Sequence, residues 1–527
     1  MWRIYQQIYL PSSRRCIPIR SIYSISNIIR WYSDDSAKST GYQSIGSFHS
    51  ENIETLISLP KTDYQSPPLP PELPTLPVPS ASLQDVQSDF IVTQSKNWTF
   101  LNHGAFGAAL QCGHIRSNQW RDYLELQPLR YFDRTLLPHL TYSVRYLADF
   151  VNGDPRSMTL LPNVTSGMNA VLSGYCKHRA CKKNGIFYFD VSYGSTKKMM
   201  QVYADNKIEL VEILVPFPIV PSSTQSSHSS YSVILEELLD HAISKQKAKG
   251  MELQNSLLIL DHITSNTGLV LPIEKLAKRA KEEGMIVVVD GAHGTLSLDL
   301  NMDQIMTNDD NHKYRYIDIY LSNAHKWLSS PRGAGFVYCN KHEFRETLLR
   351  YPAIVSHGVD DGFLSRFIWD GCRDYSSALS LPTILDYWNR KNPDKVRTIN
   401  HTLLLDAISR LAYQWHSSSL PSNWMHCDTE TQENVLLQQQ IILVPTDMNA
   451  FMALIRLPTT ISGKNIEDSK SSTEAKKLQD YLYSQNIEVP IKCIQGVLYV
   501  RISCHIYNTL EQYDVLGRTI QALIKIH

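Results

Sequence analysis

The residues best able to do chemistry lie in the segment LSNAHKWLSSPRGAGFVYC, where Lys326 falls between an apolar run ending near Leu321 and a glycine-rich turn at 333–335. A lysine at a strand end, flanked by Asn323 and His325, can be desolvated enough for its neutral amine to attack an aldehyde. Taken alone, a lysine after a strand is most often a solvated surface group. Its partner is the run VVVDGAHG, in which Asp290 ends an apolar strand and so lies at the carboxyl end of a sheet, where α/β folds hold ligands. A carboxylate there can keep a pyridine nitrogen protonated and make the ring an electron sink. His293 follows within the same turn and can donate to a phenolic oxygen of that ring. Taken singly, Asp290 would as readily be a turn or helix cap.

Such a ring needs a phosphate seat, and LLPNVTSGMNAVLSGYC supplies one. Asn163, Thr165 and Ser166 precede Gly167 and an apolar-periodic run, so N–H groups and hydroxyls gather at a positive helix end. In FYFDVSYGST, Tyr193 follows another strand, where its ring can lie over a planar cofactor.

These groups need a frame. Apolar bursts at 185–191, 207–215, 256–263 and 285–292 read as buried strands of a mainly parallel sheet. Between the last two, Ile273, Leu276, Ala277 and Ala280 share a helical face that ends in Gly284, which makes a strand–helix–strand unit. Polar insertions at 221–230, 301–313 and 461–474 read as surface loops. After about Gly371 the pattern turns to long helices at 376–390 and 397–415, then the strand FMALIRL, a helix at 474–486 and two short strands around 488–502. The expected fold class is α/β: a large domain over 95–370 with a mainly parallel sheet flanked by helices, and a smaller α+β domain over 371–527.

Residues 1–33 carry arginines, Ser, Ile and Tyr without an acidic residue, the pattern of a mitochondrial transit peptide, which predicts a matrix location with the cytoplasm as alternative. Residues 34–94 are Ser- and Pro-rich, with PPLPPELPTLPVP at 67–79, and read as a linker or wrapped extension. The 51 Lys plus Arg balance 51 Asp plus Glu, and no basic stripe with interleaved aromatics appears, so no nucleic-acid partner is expected. Nine cysteines without a C-x-x-C pair give neither a disulfide framework nor a metal site. No long apolar run calls for a membrane.

The constellation of Thr165-Ser166, Tyr193, Asp290-x-x-His293 and Asn323-x-His325-Lys326 resembles fold-type I pyridoxal-phosphate (PLP) enzymes of aminotransferase class V, and in particular their isopenicillin N epimerase-like branch. LNHGAFGAAL, DHITSNTGLVLP, HKWLSSPRGAGF, WDGCRDYSSALSLP and VRISCHIYNT match that branch in order, from about Asn97 to the C-terminus. The resemblance implies that Lys326 forms the Schiff base with pyridoxal 5'-phosphate, Asp290 pairs with the pyridinium, His293 contacts the phenolic oxygen and Tyr193 stacks on the ring. It further implies that Thr165, Ser166, Asn323 and His325 surround the phosphate, with Gly371-Cys372 reaching it from the other subunit of a homodimer. Arg501 is similar to the arginine that grips the substrate α-carboxylate, and Asn102 and His103 fall in the segment that borders the substrate. Ser265 stands where related desulfurases show Asn, and Cys372 where Thr is commoner.

The expected activity is that of a PLP-dependent enzyme acting on an amino acid at Cα or Cβ, whether epimerase, lyase or aminotransferase. A cysteine desulfurase or sulfur-amino-acid lyase is the alternative, and a catalytically silent binding protein of the same fold is the alternative of another class. A desulfurase needs a cysteine on a mobile loop before the carboxylate-binding arginine. The nearby candidate, Cys493, is separated from Arg501 only by IQGVLYV, which reads as a tight Gln495-Gly496 turn and a strand.

Overall fold

The computed structural model describes residues 51–178, 183–219, 227–303, 316–458, 460–461, 464–465 and 472–525. Its centre is a seven-stranded sheet of β1 (Met158–Leu161), β2 (Gly185–Phe189), β3 (Glu209–Ile213), β4 (Leu257–Asp261), β5 (Ile286–Asp290), β6 (Ile319–Asn323) and β7 (Gly335–Tyr338). The strands run in the order β1-β7-β6-β5-β4-β2-β3, parallel throughout except for β7, which is antiparallel to both neighbours. Every residue of β2, β4, β5 and β6 is buried, as continuous apolar runs demand of strands covered on both faces. The edge strand β3 instead alternates, with Glu209 and Glu212 exposed. Successive residues sort to opposite faces: Phe187, Leu258 and Val287 join one apolar cluster, Ile186, Ile259 and Val288 another.

The expected strands and the helix between β4 and β5 (Ile273–Glu282) form close to their predicted bounds. Two loops are shorter than expected. The segment at 221–230 gives way at Ser227 to a helix running to Ala248, because Leu235, Leu239 and Ile243 bury one stripe and the helix propagates back from it. The segment at 461–474 gives way at Ser472 to the helix Ser472–Ser484. Most of the loop expected at 301–313 lies outside the described residues, as do residues 1–33 with their targeting pattern.

Downstream, the helices Leu381–Lys391 and Pro393–His416 lead to a three-stranded antiparallel sheet of β8 (Met452–Arg456), β9 (Ile491–Ile494) and β10 (Val497–Ser503), with β10 central. The β9–β10 hairpin closes on Gln495 and Gly496 at φ +48° and +84°, a two-residue turn whose positive φ values match the strand twist. Apolar residues of this sheet and of the helices Pro393–His416 and Leu510–Lys525 build a separate cluster that includes Leu404, Val500 and Leu516. The chain's earlier part is stitched onto it: Thr99–Phe100 pairs in parallel with Ile487–Glu488, and Leu101 accepts the Ser503 N–H at 3.1 Å.

The Pro-rich stretch packs along the body. Ile53, Ile57 and Leu73 are buried, and the Arg145 guanidinium donates to the carbonyls of Leu56, Ile57 and Leu59 while lying 4.1 Å over the Tyr64 ring. Among the described residues no helix is long and apolar enough to cross a membrane, and no group of three His, Cys, Asp or Glu is placed to hold a metal ion.

One buried charge holds the sheet's lower end. Asp318 is fully buried, accepts the Val287 N–H at 2.8 Å and pairs with both Lys281 and Lys341. Asp318→Ala would leave two ammonium groups and an N–H without their acceptor, so we expect a loss of about 3 kcal/mol. Urea unfolding checks this; a midpoint unchanged from wild type would show the carboxylate to be dispensable.

Candidate active site

The chemistry collects where the parallel strands end. In the sheet register Asp261, the last residue of β4, stands opposite Asp290, the last of β5, and Asn323 ends β6 beside them. Lys326 follows β6 directly. A cavity of about 560 Å³ opens over these ends, and Asp290, His293, Asn323, His325 and Lys326 all line it, with Thr165, Tyr193, Asn102 and Arg501.

Lys326 Nζ lies 2.9 Å from His293 Nε2. Burial lowers the lysine to about 8, against the pull of Asp290 and helped by the Arg501 cation. Burial, together with the Lys326 and Arg501 cations, also holds His293 well below the usual imidazole range, so His293 is neutral. A neutral amine is thus accessible at Lys326 near neutral pH, as attack on a carbonyl requires. The backbone below it is clamped. The Lys326 carbonyl lies 3.0 Å from His103 Nε2, and His103 Nδ1 lies 2.9 Å from the Tyr507 hydroxyl. Gly107 passes so close beneath, at φ +71°, that a Cβ there would stand 1.9 Å from the His325 carbonyl oxygen.

Asp290 accepts the Ala292 N–H at 3.1 Å through one oxygen and the Thr196 hydroxyl at 3.5 Å through the other. Burial raises its pKa, opposed by Lys326. Asp261 is raised as well, by burial and then by Asp290, because two buried carboxylates side by side cannot both ionise cheaply. One oxygen of Asp261 takes the Tyr193 N–H at 3.2 Å, while the other is buried without a partner. Tyr193 itself stands exposed at the mouth of the cavity.

Near Thr165, Asn163 caps the helix Val164–His178: its side-chain oxygen accepts the Ser166 N–H at 2.9 Å. The Ser166 hydroxyl turns back to the Asn163 carbonyl, and Ser166 does not line the cavity, whereas the exposed Thr165 does. Asn323 acts on this helix end from β6, accepting the Val164 N–H at 3.0 Å. Burial lowers His325 to about 4, and its ring lies 3.4 Å from the Ala334 carbonyl.

Arg501, on β10, is buried at the opposite end. Its guanidinium donates to the Ser265 carbonyl and, at 3.0 Å, to Asn102 Oδ1; Nε is buried and unpartnered. Asn102 in turn donates to Glu488 at 3.1 Å. The structure therefore brings Asn102 to the cavity wall and places His103 underneath it. Gly371 and the exposed Cys372 are not among the lining residues.

Sequence reasoning had passed over Asp261, Thr196, Lys492 and Gln479, which also line the cavity. The ending of LLILD repeats that of IVVVD, so Asp261 carried the same signal as Asp290. Lys492 and Gln479 carried none, since Lys492 is turned inward by the pairing of β9 with β10 and Gln479 is placed by the packing of the helix Ser472–Ser484 against β9.

The set suits pyridoxal phosphate: an amine, a buried carboxylate for the ring nitrogen, a capped helix end for the phosphate, and two lining residues, His293 and Asp261, that each keep a buried polar atom without a partner. A family model, aminotransferase class V, matches residues 240–354. A probable chloroplastic L-cysteine desulfhydrase of Arabidopsis thaliana is 25% identical over 84% of this chain and 86% of its own. Isopenicillin N epimerase of Streptomyces clavuligerus is 24% identical over 80% of this chain and 94% of its own. Among solved structures, a C-DES variant with glycine covalently linked to its PLP cofactor superposes with a TM-score of 0.59 at 17% identity, over 81% of this chain and 97% of that one. Sheet order, site and relatives together define a PLP-dependent enzyme of fold type I. Within that class the chain is similar to aminotransferase class V over residues 240–354, and L-cysteine desulfhydrases and isopenicillin N epimerases are among the proteins that resemble it.

Proposed function

We propose that this enzyme is a lyase that removes the Cα proton of a sulfur-containing α-amino acid and eliminates the sulfur at Cβ, as a cysteine desulfhydrase does. The observation that carries the reading is the Lys326–His293 pair at 2.9 Å, set between a buried carboxylate at one end of the cavity and a buried arginine at the other. Pyridoxal phosphate, when bound, supplies an aldehyde that captures an amine and a ring that accepts the electrons left when a Cα bond breaks. The chain does the rest. Lys326 holds the cofactor and then takes up the Cα proton at Nζ, with the neutral His293 beside it to accept a hydrogen bond from the ammonium so formed. Asp290 keeps a proton on the ring nitrogen. Tyr193 covers the ring, Thr165, Asn323 and His325 surround the phosphate with Ser166 behind them, and Arg501 grips the α-carboxylate with Asn102 fixing its guanidinium. His103 supports the Lys326 backbone. Gly371 and Cys372 reach the phosphate of a second copy in a homodimer.

Two features favour elimination over desulfuration by a persulfide. The relatives include L-cysteine desulfhydrases, and no cysteine is among the residues lining the cavity. Cys493 is paired with Leu498 in the β9–β10 hairpin, half-buried and held by the sheet. We expect Cys493→Ser to keep wild-type turnover, with no persulfide on the protein by mass spectrometry after incubation with cysteine. A persulfide on Cys493 together with loss of turnover in the serine variant would make the enzyme a desulfurase.

The test of the function is a panel of L- and D-amino acids, including cysteine and cystine, with sulfide and keto-acid release followed alongside loss of optical activity. Sulfide with pyruvate from L-cysteine supports the lyase; racemisation of a substrate without release of either would replace it by an epimerase.

The arginine-rich, acid-free residues 1–33 and a chloroplastic relative support an organellar protein, and we assign it to the mitochondrial matrix. A fusion of residues 1–40 to a fluorescent reporter should enter mitochondria; a reporter left in the cytosol or sorted to another organelle would overturn the assignment.

A further inference from the structure

The wall that carries Arg501 holds a second cation for which the reaction so far has no task. In the β9–β10 pair Lys492 stands opposite Tyr499 and Ile491 opposite Val500, and Arg501 extends the register by donating its N–H to the Pro490 carbonyl at 3.0 Å. Residues opposite each other across an antiparallel pair project to one side, and side chains along each strand alternate. Pro490, Lys492 and Arg501 therefore share a face, with Lys492 and Arg501 as diagonal neighbours, and all three line the cavity.

No carboxylate among the described residues pairs with either cation. Burial, and then the Arg501 charge, lower Lys492 to about 8. Arg501 keeps a buried, unpartnered Nε on the same wall. Beside them Gln479, on the helix Ser472–Ser484, accepts the Ile491 N–H at 3.3 Å through its side-chain oxygen. Its amide nitrogen is left as a donor, and Gln479 also lines the cavity. Two like charges and an amide donor, drawn from water and without an acid, make a wall that favours anions against it. The α-carboxylate of one amino acid supplies a single charge.

We propose that Lys492, with the Gln479 amide, forms a second anion-binding subsite, and that it selects amino acids whose side chain presents a negative charge, as the thiolate of cysteine does. The proposal rests on the lyase reading and sharpens it. When the Cα proton passes to Lys326, its electron pair forms the Cα–Cβ double bond and the Cβ–S pair departs on sulfur, which takes a proton from the Lys492 ammonium as it goes and so leaves as hydrosulfide. Without that proton the thiolate would have to leave with two negative charges.

The test is binding to the holoenzyme of ligands that lack the amine and so cannot displace Lys326. By calorimetry, wild type should bind 3-mercaptopropionate at least ten times more tightly than butyrate, and Lys492→Met should lose that preference while binding butyrate as before. Lys492→Arg should keep the preference, and Gln479→Leu should weaken it by a smaller factor. Lys492→Gln replaces the methionine variant if that one fails to fold. With L-cysteine, Lys492→Met should lower kcat more than it raises KM. A preference unchanged in Lys492→Met overturns the subsite, whatever the turnover. Sulfide release with that preference unchanged would leave the lyase standing without the subsite. A Lys492-dependent preference in an enzyme that releases no sulfide would leave the subsite standing and remove the lyase.

Discussion

Lys326→Ala is expected to lose turnover by at least about 10⁴-fold, because it removes both the amine that holds the cofactor and the base that takes the Cα proton. The covalent adduct trapped by borohydride in wild type should vanish with it. Lys326→Arg should be nearly as poor, since a guanidinium does not shed its proton in the accessible pH range. The wild-type amine, lowered to about 8 by burial, is protonated below that pH and free above it. Capture of added cofactor by cofactor-free enzyme should therefore quicken as pH rises toward about 8 and then level off. Borohydride still fixing cofactor to the alanine variant, or capture that slows with rising pH, would remove Lys326 from its role.

Asp290→Asn is expected to keep the cofactor and lose most of the rate. An amide can still accept the Ala292 N–H that Asp290 accepts at 3.1 Å, but it cannot hold a proton on the ring nitrogen by charge. The lost charge-assisted bond is worth on the order of 1.5 to 3 kcal/mol in the ground state. The rate should fall by more than about 10²-fold, because the electron sink matters most in the transition state. Asp261, opposite Asp290 in the register, gives this experiment a control: Asp261→Asn should disturb Tyr193 and leave the rate less affected. Full turnover with retained absorbance in Asp290→Asn would show a purely structural carboxylate.

How much of this was legible beforehand follows from which forces place each residue. Strands whose every residue is buried announce themselves as apolar runs, so β2, β4, β5 and β6, with Asp290 and Lys326 at their ends, could be located from local pattern. The hairpin at Gln495-Gly496 was legible because a Gly between two apolar-alternating runs marks a tight turn, and Gly496 takes a positive φ there. The sequence said less about side-chain direction. Ser166 looked like a phosphate ligand, yet its hydroxyl is taken up by the Asn163 carbonyl at 2.8 Å, a competition decided by local geometry. His103 looked like a substrate neighbour and lies beneath the lysine, since only the docking of the 99–107 segment fixes which side it faces. Lys492 had no local signal, because its place depends on a strand pairing and on a sheet from elsewhere in the chain.

That docking bears on when the enzyme becomes competent during its synthesis. Asn102 meets the Arg501 guanidinium across a sequence separation of 399, and Thr99–Phe100 completes its pairing only with Ile487–Glu488. Asp290 and Lys326 leave the ribosome long before Arg501, and the sheet that carries them can form from residues already made. The wall that carries Arg501 has to wait until β9 and β10 are made. A polypeptide stalled short of β10 would carry Lys326 and Asp290 without Arg501, so one side of the cavity can form before its far wall exists.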